Sequence, residues 1–434
     1  MTTPDLTPPD STFPVNQKKV LNGWAMFDWA NSAFALVITV AIFPEYFNSM
    51  VDDELNVLGF KLKDTALFAY LVSLSYLLIA LFSPYLSGIA DAGGKRLAFL
   101  KTFTTVGAIS CLCLFFFTGM ETLWIGASCF VLSMVGFAGG LVFYNSFLPV
   151  IASEDRYDRI SARGFALGFL GSVILLVFNL LMIQKPQWFG LPEGGTLAVQ
   201  ITFITVGLWW LGFAQIPFNR LPADKKQEVD LATLRKKGWQ EIRKAASAVS
   251  ERIHMKRFLS GFFFLSAGVQ TILFLASTFA AVELGFETAE LIQVILLLQI
   301  LGIAGAYTFS FLSEKSGNKI ALIVILCIWL IICVSGYFVQ TKAPFYFIAG
   351  AVGFVMGGTQ SLSRSTYAKL IPDVRESTSF YSFYDVLEKV AIVVGTLCFG
   401  ILDNVTGSMR LSLLLLAFFF VISLTFIGRF KVVK

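Results

Sequence analysis

The sequence predicts an all-α polytopic membrane protein, with twelve transmembrane helices arranged as two six-helix repeats. Three observations carry this. The 434 residues are 56% hydrophobic and only 14% charged, with a mean hydropathy of +0.75, whereas a soluble chain is about a quarter charged. Apolar runs of about 20 residues, each long enough to cross the hydrocarbon layer as a helix, recur along the whole chain. Finally, the second half repeats the first. "SGIADAGGKRLAFL" has its counterpart in "SFLSEKSGNKIALI", and "NSFLPVIAS" in "AKLIPDVRE", so that Asp91 stands against Glu314 and Pro149 against Pro372, each pair 223 positions apart. One offset shared by two separate landmarks marks an internal duplication.

Taken in order, residues 1–25 open with "MTTPDLTPPDSTFPVNQKK", polar, rich in Pro and Thr and without an apolar h-region. This reads as an N-terminal cytoplasmic tail and not as a signal peptide. An N-terminal six-helix bundle follows over 26–218, with spans at about 26–48, 66–90, 97–118, 123–150, 163–183 and 198–218. Residues 219–258 form a cytoplasmic linker. Its segment "DLATLRKKGWQEIRKAASAVSERI" has apolar residues at helical spacing and basic ones elsewhere, which suits either an amphipathic helix on an anionic leaflet or a solvated linker helix. The C-terminal bundle covers 259–428, with spans at about 259–282, 290–312, 320–339, 344–371, 381–402 and 410–428, and residues 429–434 form a short tail.

The basic residues orient this arrangement. With both ends in the cytoplasm, 26 of the 33 Lys and Arg fall on the inside, and only Lys61, Lys63, Lys185, Lys342 and Arg410 outside. That asymmetry obeys the positive-inside rule, so the net charge of +5 reports topology and implies no nucleic-acid partner. The expected location is the inner cell membrane, multi-pass, with lipid around a monomer. The six cysteines all lie in apolar runs and His254 is the only histidine. Neither pattern offers a metal site. No phosphate-cradling Gly-Lys-Ser loop occurs either, so no cofactor and no direct nucleotide drive is expected. No nucleophile stands beside a base, which leaves an enzyme unsupported.

The loop after span 2 resembles the signature loop of the major facilitator superfamily at Asp91, Gly94, Lys95 and Arg96, although Ser87 and Ala92 depart from it. A parallel repeat of six helices is also the organisation of those transporters. A narrower resemblance lies in "FDWANSAF", "FYNSFLP", "ISARGFALGFLG" and "SLSRSTYAKLIP", which look like the family of the fungal autophagy-related vacuolar amino-acid effluxer and its bacterial relatives. It implies a major facilitator fold and release of small solutes, notably amino acids. One departure stands out. Ala267 precedes Gly268-Val269-Gln270-Thr271, where that family leads one to expect an acid, so coupling here must rest elsewhere or be absent.

By analogy with the superfamily, spans 1, 4, 7 and 10 line a central cavity. Each carries polar residues at helical spacing, and such residues are costly in lipid unless they face the bundle interior. The substrate-binding candidates are Asp28 and Asn31 in span 1, Tyr144 and Asn145 in span 4, Gln270 in span 7, and Gln360, Arg364 and Tyr367 in span 10. Helix packing through small residues and interhelical hydrogen bonds would use similar patterns. Asp28 and Arg364 lie at similar depth. They would either neutralise each other in the empty protein or bind the amine and carboxylate of a zwitterion, and Asp28 is also the proton-coupling candidate. Gating candidates are Asp91 and Glu314, expected to cap spans 11 and 5, with Arg96, Arg159, Arg163 and Lys319 on the same side. In span 11, Asp385 and Lys389 are set to pair, while Glu388 needs a partner such as an arginine of the loop after span 2. The expected function is a secondary active transporter that exports a small polar metabolite such as an amino acid. A proton-coupled importer of another small solute, or a transporter-like sensor or scaffold without flux, stays open beside it.

Overall fold

The computed structural model describes residues 14–52, 54–57, 60–224 and 231–431. Most of the expected N-terminal tail, residues 225–230 of the linker and the end of the C-terminal tail lie outside the described residues. Span 1 runs Lys18–Met50, span 2 Asp64–Gly93, span 3 Arg96–Cys113, span 4 Leu123–Ser146, span 5 Tyr157–Gln184 and span 6 Leu197–Arg220. After the linker helix Leu231–Glu251 come span 7 Ile253–Leu284, span 8 Thr288–Ser316, span 9 Asn318–Phe338, span 10 Lys342–Leu370, span 11 Ser377–Thr406 and span 12 Met409–Ile427. Most of the helices outrun the apolar stretches by several residues. Their backbone bonds close within the helix, so a helix started in lipid continues into the wet interface at little cost.

Among the described residues, eleven helices are long and apolar enough to cross a membrane. Span 11, thirty residues long, is the one outside that set, and it carries Asp385, Glu388 and Lys389. It packs against spans 2, 7 and 12 like the others. The halves are built by close helix approach. A Cβ on Gly357 would lie 2.0 Å from the carbonyl oxygen of Gly302, so only glycine lets spans 8 and 10 pack backbone to backbone.

Both described chain ends lie on one side, called here the terminal side. The Asn16 backbone N–H donates to the Ile151 carbonyl at 2.8 Å and the Asn16 side chain bonds Ser153. Arg257 donates to the Arg429 carbonyl at 2.9 Å. On the opposite side, Arg410 pairs with Glu283 at 2.9 Å and Lys342 with Glu290 at 2.6 Å. Glu283 thus ties the end of span 7 to span 12. Between spans 1 and 2 on that side the chain forms an antiparallel strand pair, Glu54–Val57 with Phe60–Lys63, in the register Glu54 opposite Lys63.

The linker helix docks on the protein itself. It packs along span 2, where a Cβ on Gly88 would meet the Gly238 carbonyl oxygen at 2.2 Å, and Ala245 is fully buried. At its far end Lys244 pairs with Glu376, in the turn that starts span 11. The helix thus touches both halves. Gly88 and Gly238 let the backbones of span 2 and the linker helix approach.

Candidate functional site

Span 1 is not uniformly α-helical. Phe34–Ile42 is wound as a π-helix, a form that often marks functional positions. The turns just before it, on the terminal side, present Trp24, Phe27, Asp28 and Asn31, all buried. Span 10 places Arg364 opposite them. One Nη of Arg364 lies 3.0 Å from Asp28 Oδ2, and only 3% and 4% of the two side chains is exposed. The same carboxylate oxygen accepts the Tyr144 hydroxyl at 2.8 Å.

The guanidinium is held on every side. Its Nε donates to Ser161 Oγ at 2.9 Å, and its second Nη to the Ser161 carbonyl at 2.8 Å. A longer contact of 3.4 Å reaches Asn145 Oδ1. The cation lies 4.1 Å from the Phe165 ring centre and 4.7 Å from that of Trp24, close enough for cation–π attraction. Trp24 in turn stacks on Tyr144 and donates its indole N–H to the Tyr144 carbonyl. Space for this is made by Gly164. A Cβ there would lie 2.3 Å from Asp28 Oδ2 and 2.9 Å from the Arg364 guanidinium. Asn31, one turn from Asp28, has both side-chain polar atoms buried without a hydrogen-bond partner among the described residues. Such orphaned groups are uncommon and cost energy unless something else meets them.

Asp28, Tyr144, Asn145 and Arg364 therefore converge on one point between the halves, with Asn31 beside it. Gln360 lies one turn along span 10, half-buried. Tyr367 and Gln270 are elsewhere. Tyr367 donates to the Phe380 carbonyl at 2.8 Å and packs between Phe258 and Tyr384. Gln270 donates to Glu388 at 3.2 Å. Sequence reasoning missed Ser161, Gly164, Trp24 and Phe165. Three of them lie in the stretch "ISARGFALGFLG", but spacing alone gives no reason to aim span 5 at the pair.

Two further polar clusters join the halves nearer the terminal side. Asp91 accepts from the Ser379 backbone N–H and hydroxyl, both at 2.7 Å, and from the Thr378 N–H at 3.3 Å. It thereby caps span 11, where a carboxylate meets the positive end of the helix dipole. Arg96 pairs with Asp91 at 3.1 Å and donates to the Arg375 carbonyl. Glu314 does not do the same for span 5. It is exposed, and the neighbouring Ser313 reaches across instead, donating to Asp158 Oδ2 at 2.8 Å. Asp158, in the first turn of span 5, also accepts from Asn318 at 2.8 Å and pairs with Lys369 at 2.6 Å. The carboxylate thus comes from span 2 in one cluster and from the first turn of span 5 in the other. Arg159 and Arg163 are exposed, with Arg163 bonded to Asn22 of its own half. Lys319 makes no ion pair among the described residues. Every side-chain hydrogen bond between the halves among the described residues lies in the terminal half of the molecule. That side is closed.

Comparisons with known proteins agree with this architecture. The family described as "Vacuole effluxer Atg22 like" matches residues 16–434. The chain is 30% identical to the uncharacterized MFS-type transporter YxiO of Bacillus subtilis, over 94% of each chain. It is 27% identical to autophagy-related protein 22 of Kluyveromyces lactis, over 95% of this chain and 93% of the yeast protein. Among solved structures it is similar to the major facilitator transporter FucP in its outward conformation, with TM-score 0.68, 14% identity and coverage of 94% and 97%. The human organic anion transporter MFSD10 gives TM-score 0.71, 11% identity and coverage of 94% and 98%.

Proposed function

This chain belongs to the Atg22-like vacuole effluxer family of the major facilitator superfamily, and on that premise we propose that it is a secondary active transporter exporting a small polar metabolite, an amino acid being the leading class. The carrying observation is the Asp28–Arg364 pair, buried across the two halves with the unsatisfied Asn31 beside it. The terminal side is cytoplasmic in this reading, as the basic residues require, so the closed clusters describe an outward-facing state of a monomer surrounded by lipid. A charge pair in a low-dielectric site is neutral as a unit, and separating it leaves two exposed binding partners of opposite sign. Opening the cytoplasmic side would offer Arg364 to a carboxylate, Asp28 and Tyr144 to an ammonium, and Asn31, Asn145 and Gln360 to remaining polar groups. A zwitterion replaces the internal pair with equal charge balance. When Asp28 loses Arg364 without gaining an ammonium, it becomes a lone buried carboxylate and a proton acceptor.

Alternating access then means exchanging this internal pairing for substrate pairing while spans 1 and 10 part. The test is efflux of radiolabelled amino acids from proteoliposomes containing the purified full-length protein. Efflux of at least one amino acid above protein-free vesicles, lost in Arg364→Gln, is the expected result. Absence of flux for every proteinogenic amino acid in either gradient direction would overturn the substrate class.

A further inference from the structure

Span 11 carries charges that the gate and the buried pair leave unused. Asp385 and Lys389 follow the helix start by about 12 and 18 Å at 1.5 Å per residue, within the membrane. Lys389 Nζ lies 3.1 Å from Asp385 Oδ1 and 3.4 Å from Glu388 Oε2. Glu388 accepts from Gln270 of span 7, not from an arginine of the loop after span 2. Lys389 also stands 5.5 Å from the ring centre of Tyr76 on span 2, which is a contact between the halves.

Two carboxylates share one ammonium, so the cluster carries one uncompensated negative charge when all three groups are ionised. Its surroundings do not neutralise it. The titratable groups facing it are Tyr76 of span 2 and Tyr384 of span 11. Spans 4, 7 and 12 also pack on span 11 and bring no charge outside their end turns. The linker helix pairs through Lys244 with Glu376 in the turn before span 11. The Oδ2 of Asp385 is buried without a hydrogen-bond partner among the described residues. An isolated ionised oxygen in that position is far costlier than a protonated one.

We infer that Asp385, Glu388 and Lys389 form a binding site for one exchangeable proton that couples span 11 to span 2. The inference rests on the transporter reading. A metal cation such as sodium is disfavoured, because it would sit beside the ammonium with few free oxygens around it. The proton comes from water through Glu388, whose side chain is 25% exposed against 9% for Asp385. It forms an O–H bond at one carboxylate, and the Lys389 ammonium remains with the other. Release returns the proton to water. The readout reaches the gate because the same two spans meet again where Asp91 caps Ser379, six residues before Asp385.

The test reads the proton itself and so fails separately from any flux assay. Infrared difference spectra of the purified full-length protein in lipid, titrated in pH, should show a carboxylic C=O band. The band should be lost in Asp385→Asn or Glu388→Gln, each of which leaves one carboxylate matched to one ammonium, and in the neutral triple variant Asp385→Asn/Glu388→Gln/Lys389→Met, and it should persist in Asp28→Asn. The triple variant, which leaves no charge in the cluster, keeps the test usable if a single variant prevents folding. A band retained in every folded cluster variant, or lost only in Asp28→Asn, would overturn the assignment. A carboxylate signal that responds to replacing choline by sodium and not to pH would overturn the proton.

Discussion

Removing either member of the Asp28–Arg364 pair should expose an asymmetry that the geometry fixes. Stranding one buried charge costs about 3–5 kcal/mol, and the two residues are not equally supported once alone. In Asp28→Asn, the guanidinium keeps Ser161 Oγ, the Ser161 carbonyl and the faces of Phe165 and Trp24. In Arg364→Gln, Asp28 keeps only the Tyr144 hydroxyl among its charge-stabilising contacts. While Asp28 stays ionised, the arginine variant should therefore lie near the upper end, about 5 kcal/mol, and the aspartate variant near the lower, about 3 kcal/mol. The double variant holds no lone charge and should cost less than either single variant, so that the two losses are strongly non-additive. Denaturant unfolding of the four proteins in one detergent, followed by tryptophan fluorescence, measures this. Transport should stay absent in the double variant, since both anchors for a zwitterion are gone. Additive losses, or a smaller cost for Arg364→Gln than for Asp28→Asn, would refute the electrostatic argument.

Three other outcomes follow from named contacts. Gly164→Ala places a methyl 2.3 Å from Asp28 Oδ2, so it should part spans 1 and 10 and lengthen spin-label distances across the terminal side; unchanged distances would show that span 5 yields freely. Asp91→Asn removes the charged cap of span 11 and should cost about 0.5–2 kcal/mol with easier opening of that side, while Glu314→Gln, on an exposed side chain, should change neither by thermal denaturation or labelling. The hydrogen bond to Glu376 holds the Lys244 pKa above its ordinary 10.5, so the linker's hold on span 11 is fully present below that value and lost as pH rises through the higher folded one; amide exchange in the linker helix should be insensitive to the Lys244→Met substitution only at strongly alkaline pH.

Composition and hydropathy determine the membrane class, because burying about twenty apolar residues in lipid dominates every local preference. The shared 223-residue offset determines the two repeats, and the positions of Asp28 and Arg364 in spans 1 and 10 suffice to suggest a pair. Three things depend on how helices face one another. Asp158, and not Glu314, serves the second repeat, since a rotation of one residue on span 8 brings Ser313 inward and turns its neighbour outward. The linker helix is covered by span 2 through Gly88 and Gly238, a match of two backbones that no periodicity reports. Glu388 finds Gln270 because spans 7 and 11 touch at mid-depth. A sequence states which residues are too polar for lipid. Which neighbour satisfies each is set by helix rotation and approach, and those are decided by packing between spans far apart in the chain.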